Sequence, residues 1–327
     1  MKFTQLSTLA LALSALTYAL PAAPADMAKD YPTRPIRLIV PNGPGSSVDT
    51  LTRIVSTRLT EVLGQQLVID NRGGAAGVIG MEIGKDASPD GYTVITATTA
   101  AMTIARLMLK NPPYDPLKDY EPVAEFAVTL NVLVINPKLP IKTVKDFIEY
   151  AKSGKRPFNM ASAGVGSQSH LSGAYFQQEA HLNSLHVPYK GGGASSASVV
   201  AGESQWSLIP SAAAMSHVSA GRLRAIAQTL PKATPLLPNV PPIADTIPGF
   251  DYTGWQGFVV PKGTPKAIIE KLRAAVAKTM EAPDVKKGLA FQATEVVVQG
   301  PAEFRKVIQE SMVKNAKLVK SLGLAAN

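Results

Sequence analysis

Strand and helix patterns alternate along most of the chain, and this alternation restricts the fold more than any other feature. Ile36–Val40 is a short run of branched apolar residues, typical of a buried strand. Apolar residues over 51–63 then recur at helical spacing, and Gly64 follows them as a helix stop. The same order returns with a strand over 158–161 and a helix over 168–179. The pattern predicts an α/β fold in which helices cover a mostly parallel sheet.

Further elements follow from the same patterns. Pro301 and the pair Thr264-Pro265 each predict a helix start, because proline fits the first turn. Residues 231–248 hold six prolines, which excludes one regular element and indicates a connecting segment. The other predicted strands are 67–69, 92–97, 130–135, 185–187, 206–209 and 223–227, and Thr143 is expected to cap a helix that ends near Lys152.

Residues 1–25 have the features of a secretory signal peptide. Lys2 precedes an uncharged run over 6–20, and Ala23-Pro24-Ala25 offers a cleavage site between small residues. The alternative is a membrane anchor, but the run is shorter than the ~20 residues that a span requires. We therefore expect an exported soluble protein. Its formal net charge falls from +9 to +8 on processing, because Lys2 is the only charged residue removed.

Composition limits the remaining function classes. The 327 residues suggest two domains, since a domain averages about 150 residues, and 46% hydrophobic residues exclude a disordered chain. The absence of cysteine excludes disulfides, thiolate metal sites and a cysteine nucleophile. Lysine and arginine are dispersed, with no basic run, so nucleic acid is not an expected partner. A diffuse positive charge would help to attract small anions.

Two glycine-rich loops, 42–47 and 164–167, each follow a strand and precede a helix. Such loops expose backbone N–H groups, and the helix dipole adds positive potential. In open α/β sheets, ligands bind beyond the carboxyl ends of the strands, where these loops lie. The two loops could therefore face each other across an anion-binding cleft, or their glycines could simply permit tight turns.

The sequence lacks the motifs that mark catalytic sites, metal sites and cofactor sites. Neither glycine loop has the third glycine of a dinucleotide site, and the chain has no phosphate loop and no nucleophile elbow. The four histidines form no metal-ligand pattern, so we expect no catalytic residues, no metal and no cofactor. His170 could donate a hydrogen bond to an anion or bond its own loop. Asp49 is expected to be an N-cap that stiffens its loop, and both tryptophans are expected in the core.

Several segments resemble, in order, the Bug/TctC proteins, which are periplasmic solute-binding receptors of tripartite tricarboxylate transporters. The resemblance covers essentially the whole mature chain. The segments that carry it are 31–41 with Pro44, Gly45 and Asp49; 70–72; 89–93; 113–123; 162–167 with His170 and Leu171; 187–192; and Gly254, Trp255, Pro261 and 263–265.

The resemblance implies a two-domain Venus-flytrap architecture that binds a small carboxylate between its domains. Domain 1 would comprise 29–128 plus 255–327, domain 2 would comprise 129–254, and hinge strands would lie near Leu130 and Tyr252. The protein would act as a monomer that delivers its ligand to membrane permease subunits or to a sensor kinase; the alternative is an exported enzyme acting on a small anion. The implied ligand-binding residues are Asn42, Gly43, Gly45, Ser46, Ser47, Asp49, Thr98, Thr99, Ser162, Gly164, Gly166, Ser167, His170 and Ser211.

The first glycine-rich loop departs from the family pattern. Asn42 replaces an aromatic residue, Gly43 a proline and Ser46 a glycine, and Gln205 stands where an acidic residue is common. These changes suggest a pocket for a more polar ligand, such as a hydroxylated or keto di- or tricarboxylate. They could equally alter the loop without changing the ligand class.

Overall fold

The computed structural model describes residues 29–154 and 157–326, so the predicted signal peptide lies outside the described residues. Within them, ten strands join into a single mixed sheet. The strands are β1 Ile36–Val40, β2 Leu67–Asn71, β3 Thr93–Thr98, β4 Tyr120–Ile135, β5 Met160–Ser162, β6 His186–Pro188, β7 Trp206–Pro210, β8 Arg224–Gln228, β9 Thr253–Pro261 and β10 Glu295–Gln299.

Helices separate most of these strands, as the alternation predicts. A π-helical turn, Ala100–Ile104, follows β3 directly. No helix of the described ranges is both long enough and apolar enough to cross a membrane. The α-helices are α1 Ser47–Leu63, α2 Val78–Lys85, α3 Val144–Lys152, α4 Gln168–Ala180, α5 Gly192–Ala201, α6 Ser211–Ser219, α7 Lys266–Glu281, α8 Pro283–Phe291 and α9 Pro301–Ser321.

The sheet consists of two halves that share β4. In the first half-sheet, β1 pairs in parallel with β2 and β3, and β9 joins β3 to β4 by antiparallel pairing. In the second half-sheet, β5 pairs in parallel with β6 and β7, and β7 pairs with β4 antiparallel. Parallel pairing thus holds among the outer strands of each half. The antiparallel pairs belong to the long strands that connect the halves and to β8 and β10, which both pair with β4.

Strand β4 passes from one half-sheet to the other without interruption. Its residues from Tyr120 to Leu130 pair with β9, and those from Asn131 to Ile135 pair with β7. The change of partner occurs at the position where the resemblance places a hinge strand. Strand β9 begins at Thr253, directly after Tyr252 and the proline-rich segment, which contains only the short 3-10 helix Ile243–Asp245.

Each half-sheet has its own packed apolar layer. In the first, Leu51 and Val55 of α1 pack with Leu272 and Val276 of α7. In the second, the aromatic ring of Phe147 makes edge contacts with Trp206 and Phe176, with ring centroids 5.2 and 5.5 Å apart. Trp206 is fully buried, which confirms its predicted place in the core.

Some elements differ from their prediction. Strand β4 begins ten residues before the predicted 130, and α8 and β10 lie where the sequence predicts no element. Two register shifts in the β4–β9 ladder, near Pro122 and Glu125, break the side-chain alternation that marks a strand in sequence.

Candidate ligand-binding site

The first glycine-rich loop ends at an N-cap, but the cap is Ser46 and not Asp49 as predicted. Ser46 has extended backbone angles, and its hydroxyl accepts a hydrogen bond from the Asp49 N–H at 3.3 Å. Asp49 lies inside the first turn of α1. Three residues beyond the cap, its carboxylate can reach back to the loop, as the acidic residue of a capping box does.

The Asp49 carboxylate holds the loop together. It accepts hydrogen bonds from the Gly45 N–H at 2.9 Å, the Asn71 side-chain amide at 2.9 Å and Arg53 Nε at 2.9 Å. Burial alone would raise the pKa of Asp49, but these hydrogen bonds and the Arg53 charge outweigh burial and lower it. The Asn71 amide also donates to the Asn42 carbonyl at 3.0 Å. Asp49 therefore stiffens the loop through backbone contacts, as expected of it, although it is not the cap.

The second glycine-rich loop is capped in the same way. Ser167 is the N-cap of α4; its hydroxyl accepts from the His170 N–H at 3.2 Å and donates to the Gly164 carbonyl at 2.6 Å. Gly166 has a φ of 78°, the left-handed region that glycine adopts without strain. A Cβ at Gly166 would lie 3.5 Å from Ala76 Cβ and 3.1 Å from Met108 Sδ, so this loop contacts segments next to the first half-sheet.

His170 makes a hydrogen bond to its own loop in the structure. Its Nδ1 accepts a hydrogen bond from the Gly166 N–H at 3.2 Å, so the ring bonds its own loop. Its imidazole stacks on His186, whose Nε2 lies 2.6 Å from Ser162 Oγ. Burial, with a smaller contribution from His186, lowers the pKa of His170 to about 4. At neutral pH the ring is therefore uncharged and offers no cation to an anionic ligand.

Both glycine-rich loops line one cavity between the half-sheets, with a volume of about 70 Å³. None of the lining residues within 29–154 and 157–326 carries a formal charge. They are Asn42, Ser46, Ser47, Val48, Leu51, Ala76, Thr98, Ala100, Thr129, Ala163, Ser167, Gln168, Ser169, Gly192, Pro210, Ala213, Trp255 and Gln256.

Four helices begin at this cavity. Helices α1 and α4 contribute their N-caps, Ser46 and Ser167, α5 its first residue, Gly192, and α6 its N-cap, Pro210. Each helix N-terminus carries about half a positive charge and several N–H groups without an intrahelical partner. Together they make a positive environment that contains no ionised side chain.

The fourteen predicted site residues divide by position. Asn42, Ser46, Ser47, Thr98 and Ser167 line the cavity. The other nine do not line it, and several of them hydrogen-bond to the loops that do. They are Gly43, Gly45, Asp49, Thr99, Ser162, Gly164, Gly166, His170 and Ser211.

Two of these supporting residues use their hydroxyl groups away from the cavity. Thr99 Oγ1 accepts from the Trp255 N–H at 2.8 Å, and Ser211 donates to the Ala293 carbonyl at 3.1 Å. Trp255 itself packs edge-on against Phe304 and donates to Ser311, as a core residue would, yet it also lines the cavity.

Sequence patterns gave no indication of the polar residues at the base of the cavity. Thr129 lies on β4, Gln168 is the first residue of α4, and Gln256 lies on β9. The Gln256 amide donates to the Val48 carbonyl at 3.1 Å and to Thr52 Oγ1 at 3.0 Å, so it ties β9 to the start of α1. Within the described ranges, no three His, Asp or Glu residues cluster so as to hold a metal ion.

The family profile described as "Tripartite tricarboxylate transporter family receptor" matches residues 51–324. The chain belongs to this family, the Bug/TctC proteins. Among curated relatives, it is 32% identical over 299 residues to the UPF0065 protein in the tcbD-tcbE intergenic region of Pseudomonas sp. strain P51, covering 91% of this chain and 89% of the relative. It is 31% identical to BugT of Bordetella pertussis, covering 92% and 93% of the two chains.

Solved structures of similar sequence have the same fold. An R. palustris protein solved with adipate is 31% identical to this chain, with a TM-score of 0.87. The match covers 90% of this chain and 99% of the chain of that protein. MatC from Rhodopseudomonas palustris with bound malate is 28% identical to this chain, with a TM-score of 0.82. The match covers 88% of this chain and 100% of the MatC chain. The family and the α/β two-domain periplasmic-binding-protein fold are therefore both confirmed.

Proposed function

We propose that this chain is a periplasmic receptor that binds a small carboxylate between two lobes, 29–128 plus 255–327 and 129–254. The observation that carries the proposal is the convergence of four helix N-termini on an uncharged cavity. Backbone N–H groups and hydroxyls at helix N-termini bind carboxylates and phosphates without a cationic side chain. The adipate and malate found in similar proteins favour the carboxylate.

Binding would close the lobes around the ligand. Helix α1 begins beside the first half-sheet, and α4, α5 and α6 begin beside the second, so only a closed arrangement lets one ligand contact both groups. A ligand shifts a conformational equilibrium by its difference in affinity for the two states. The closed form would then be delivered to the membrane permease of a tripartite tricarboxylate transporter or to a sensor kinase, with the receptor acting as a monomer.

The alternative, an exported enzyme, has one feature in its favour. Ser162 Oγ and His186 Nε2 are 2.6 Å apart, as in the first two members of a catalytic triad. Ser162 is fully buried and does not line the cavity, however, and no carboxylate of the described residues bonds the His186 ring. The pair is therefore better explained as a structural contact behind the second glycine-rich loop.

Thermal unfolding against a panel of carboxylates tests the proposal. The purified protein is first unfolded and refolded to remove retained ligand, then mixed with mono-, di-, tri-, hydroxy- and aromatic acids. A ligand that binds only the folded state adds about 2.7 kcal/mol at a hundredfold excess over its Kd. We expect a selective rise of several degrees in Tm. A flat response across the panel, or turnover of an acid by the pure protein, would contradict the receptor proposal.

Two tyrosine substitutions on one helix provide the matched control. Ser47→Tyr places a ring in the cavity, whereas Thr57→Tyr places the same ring on the exposed face of α1. The first variant should lose the ligand-induced rise in Tm and the second should keep it. Equal behaviour of the two would place the binding site elsewhere.

A further inference from the structure

Two side chains at the base of the cavity have buried polar atoms without a hydrogen-bond partner in the part of the chain that the structure describes. They are Gln168 Nε2 and Thr129 Oγ1. Both residues line the cavity, and Thr129 is 7% exposed. A buried donor without a partner costs about 1–3 kcal/mol, so native proteins usually give such atoms an acceptor.

Gly254 brings the two atoms close together. It pairs with Thr129 across the β4–β9 ladder, and Gln168 lies over it from α4. A Cβ at position 254 would lie 2.3 Å from Gln168 Nε2 and 2.8 Å from Thr129 Oγ1, so these atoms are at most about 5.1 Å apart, the two distances taken together. The missing side chain leaves room for the amide at the junction of the half-sheets.

The two hydrogen-bond donors of this pair suit an acceptor group that has two oxygen atoms. Gln168 contributes an amide N–H and Thr129 a hydroxyl, and one carboxylate can accept from both at once because it has two oxygens. The helix N-termini supply separate donors for the first carboxylate of a ligand. Hydrogen bonds to charged acceptors contribute more than those between neutral groups, so two donors can discriminate strongly without a cation.

We propose that Gln168 and Thr129, with the space left by Gly254, form a specificity subsite for a second carboxylate. This inference rests on the proposed function, since it assumes that a first carboxylate occupies the helix N-termini. It assigns the ligand to the dicarboxylates. The sequence of the first glycine-rich loop departs from the family pattern, but this inference assigns selectivity to residues outside that loop.

Paired ligands that differ only in the second carboxylate test the subsite. Calorimetric titration compares succinate with butyrate and adipate with hexanoate, in the unaltered protein and in Thr129→Val and Gln168→Met. Each variant should weaken the preferred dicarboxylate about tenfold or more, because a hydrogen bond to a charged group is lost. Affinity for the matching monocarboxylate should stay within about twofold. Succinamate, in which a neutral amide replaces one carboxylate, should bind more weakly than succinate and lose less in the variants.

Thr279→Val is the matched control. Thr279 is also fully buried with an unpartnered hydroxyl, but it lies in α7, outside the cavity. Its substitution should leave both affinities unchanged. Gly254→Ala should weaken dicarboxylate binding as the Thr129 and Gln168 variants do. Its methyl group would displace the Gln168 amide without changing that residue.

The outcomes separate the two proposals. If no acid binds the unaltered protein, the receptor proposal and the subsite both fail. If acids bind but the variants weaken di- and monocarboxylates equally, or change neither, the receptor stands and the subsite is wrong. Ligand-free Tm values identify any variant that fails to fold, and the remaining variants then decide the question.

Discussion

At the level of single residues, the polar side chains around the cavity differ in what their atoms contact. Asp49 and His170 lie beside it, but their polar atoms bond the loops that carry the N–H groups. Thr129 and Gln168 have polar atoms with no protein partner. The first pair gives the loops their shape, and the second pair forms the subsite proposed for a second carboxylate.

His170 makes the folding stability depend on pH. In the folded protein its pKa is about 4, against 6.5 for an unperturbed histidine. Between these values the unfolded chain binds a proton that the folded chain does not. The contribution of His170 is therefore fully present above about pH 6.5 and is lost as the pH falls toward 4. Burial raises the pKa of Glu125 to about 7, so this group contributes a stability change of opposite sign over the same range. We therefore expect the His170 contribution, roughly 2 kcal/mol between pH 7 and 4.5, to appear as a difference in urea unfolding between the unaltered protein and a variant without this histidine.

His170→Asn tests the origin of that slope. The Asn carbonyl oxygen can accept the Gly166 N–H in place of Nδ1, and it does not titrate. The variant should lose the His170 contribution to the pH dependence while keeping its stability near neutrality. The dependence that remains should come from other groups whose pKa burial shifts, such as His186, whose pKa is lowered, and Glu125, whose pKa is raised. An unchanged slope in the variant would assign the effect to other groups.

At the level of elements, the serine caps connect helix stability to ligand binding. Ser167→Ala removes the acceptor for the His170 N–H and the donor to Gly164. Loss of an N-cap costs about 1 kcal/mol, which lowers Tm by a few degrees in a domain of this size. The second glycine-rich loop should also lose order, so carboxylate affinity should fall together with Tm.

Thr143→Ala is the comparison that separates the two effects. Thr143 caps α3 through a capping box with Asp146, and it does not line the cavity. Its loss should lower Tm by a similar amount and leave the affinity for carboxylates unchanged. Calorimetric titration and thermal unfolding of both variants provide the measurement. If both variants lose affinity equally, the cap of α4 has no specific role in binding.

The sequence predicts elements best where one local signal marks them. Helix α3 begins after its predicted cap, Thr143, and α9 begins at Pro301, as expected. The start of β4 was missed because Pro122 and Glu125 are atypical of a central strand and bulges interrupt its alternation. Strand β10 is short and only partly buried, so it has little hydrophobic pattern to detect.

At the level of the whole molecule, the cavity depends on contacts that no local pattern contains. The two glycine-rich loops could be found because each is a continuous segment between a strand and a helix. Thr129 and Gly254 are far apart in sequence and meet only through the β4–β9 register. The loops of the site are therefore predictable from sequence, but the base of the cavity requires the assembled sheet.

The two tryptophans should report binding differently. Trp255 lines the cavity, whereas Trp206 is fully buried in the second half-sheet. Tryptophan emission should therefore change on titration with a bound dicarboxylate. Trp206→Phe should preserve the change in emission, and Trp255→Phe should abolish it while the ligand still raises Tm. A signal that follows Trp206 would show that the ligand acts on the second core and not at the cavity.

The uncharged lining of the cavity has a consequence for the environments in which the protein can work. Amide N–H groups and aliphatic hydroxyls keep their protons throughout the range from about pH 4 to 9. Above about pH 6.5, where His170 is uncharged in the folded and the unfolded chain, affinity should therefore be nearly independent of pH for a fully ionised ligand. The proposed receptor would then hold the same ligand with similar affinity in neutral and in alkaline surroundings.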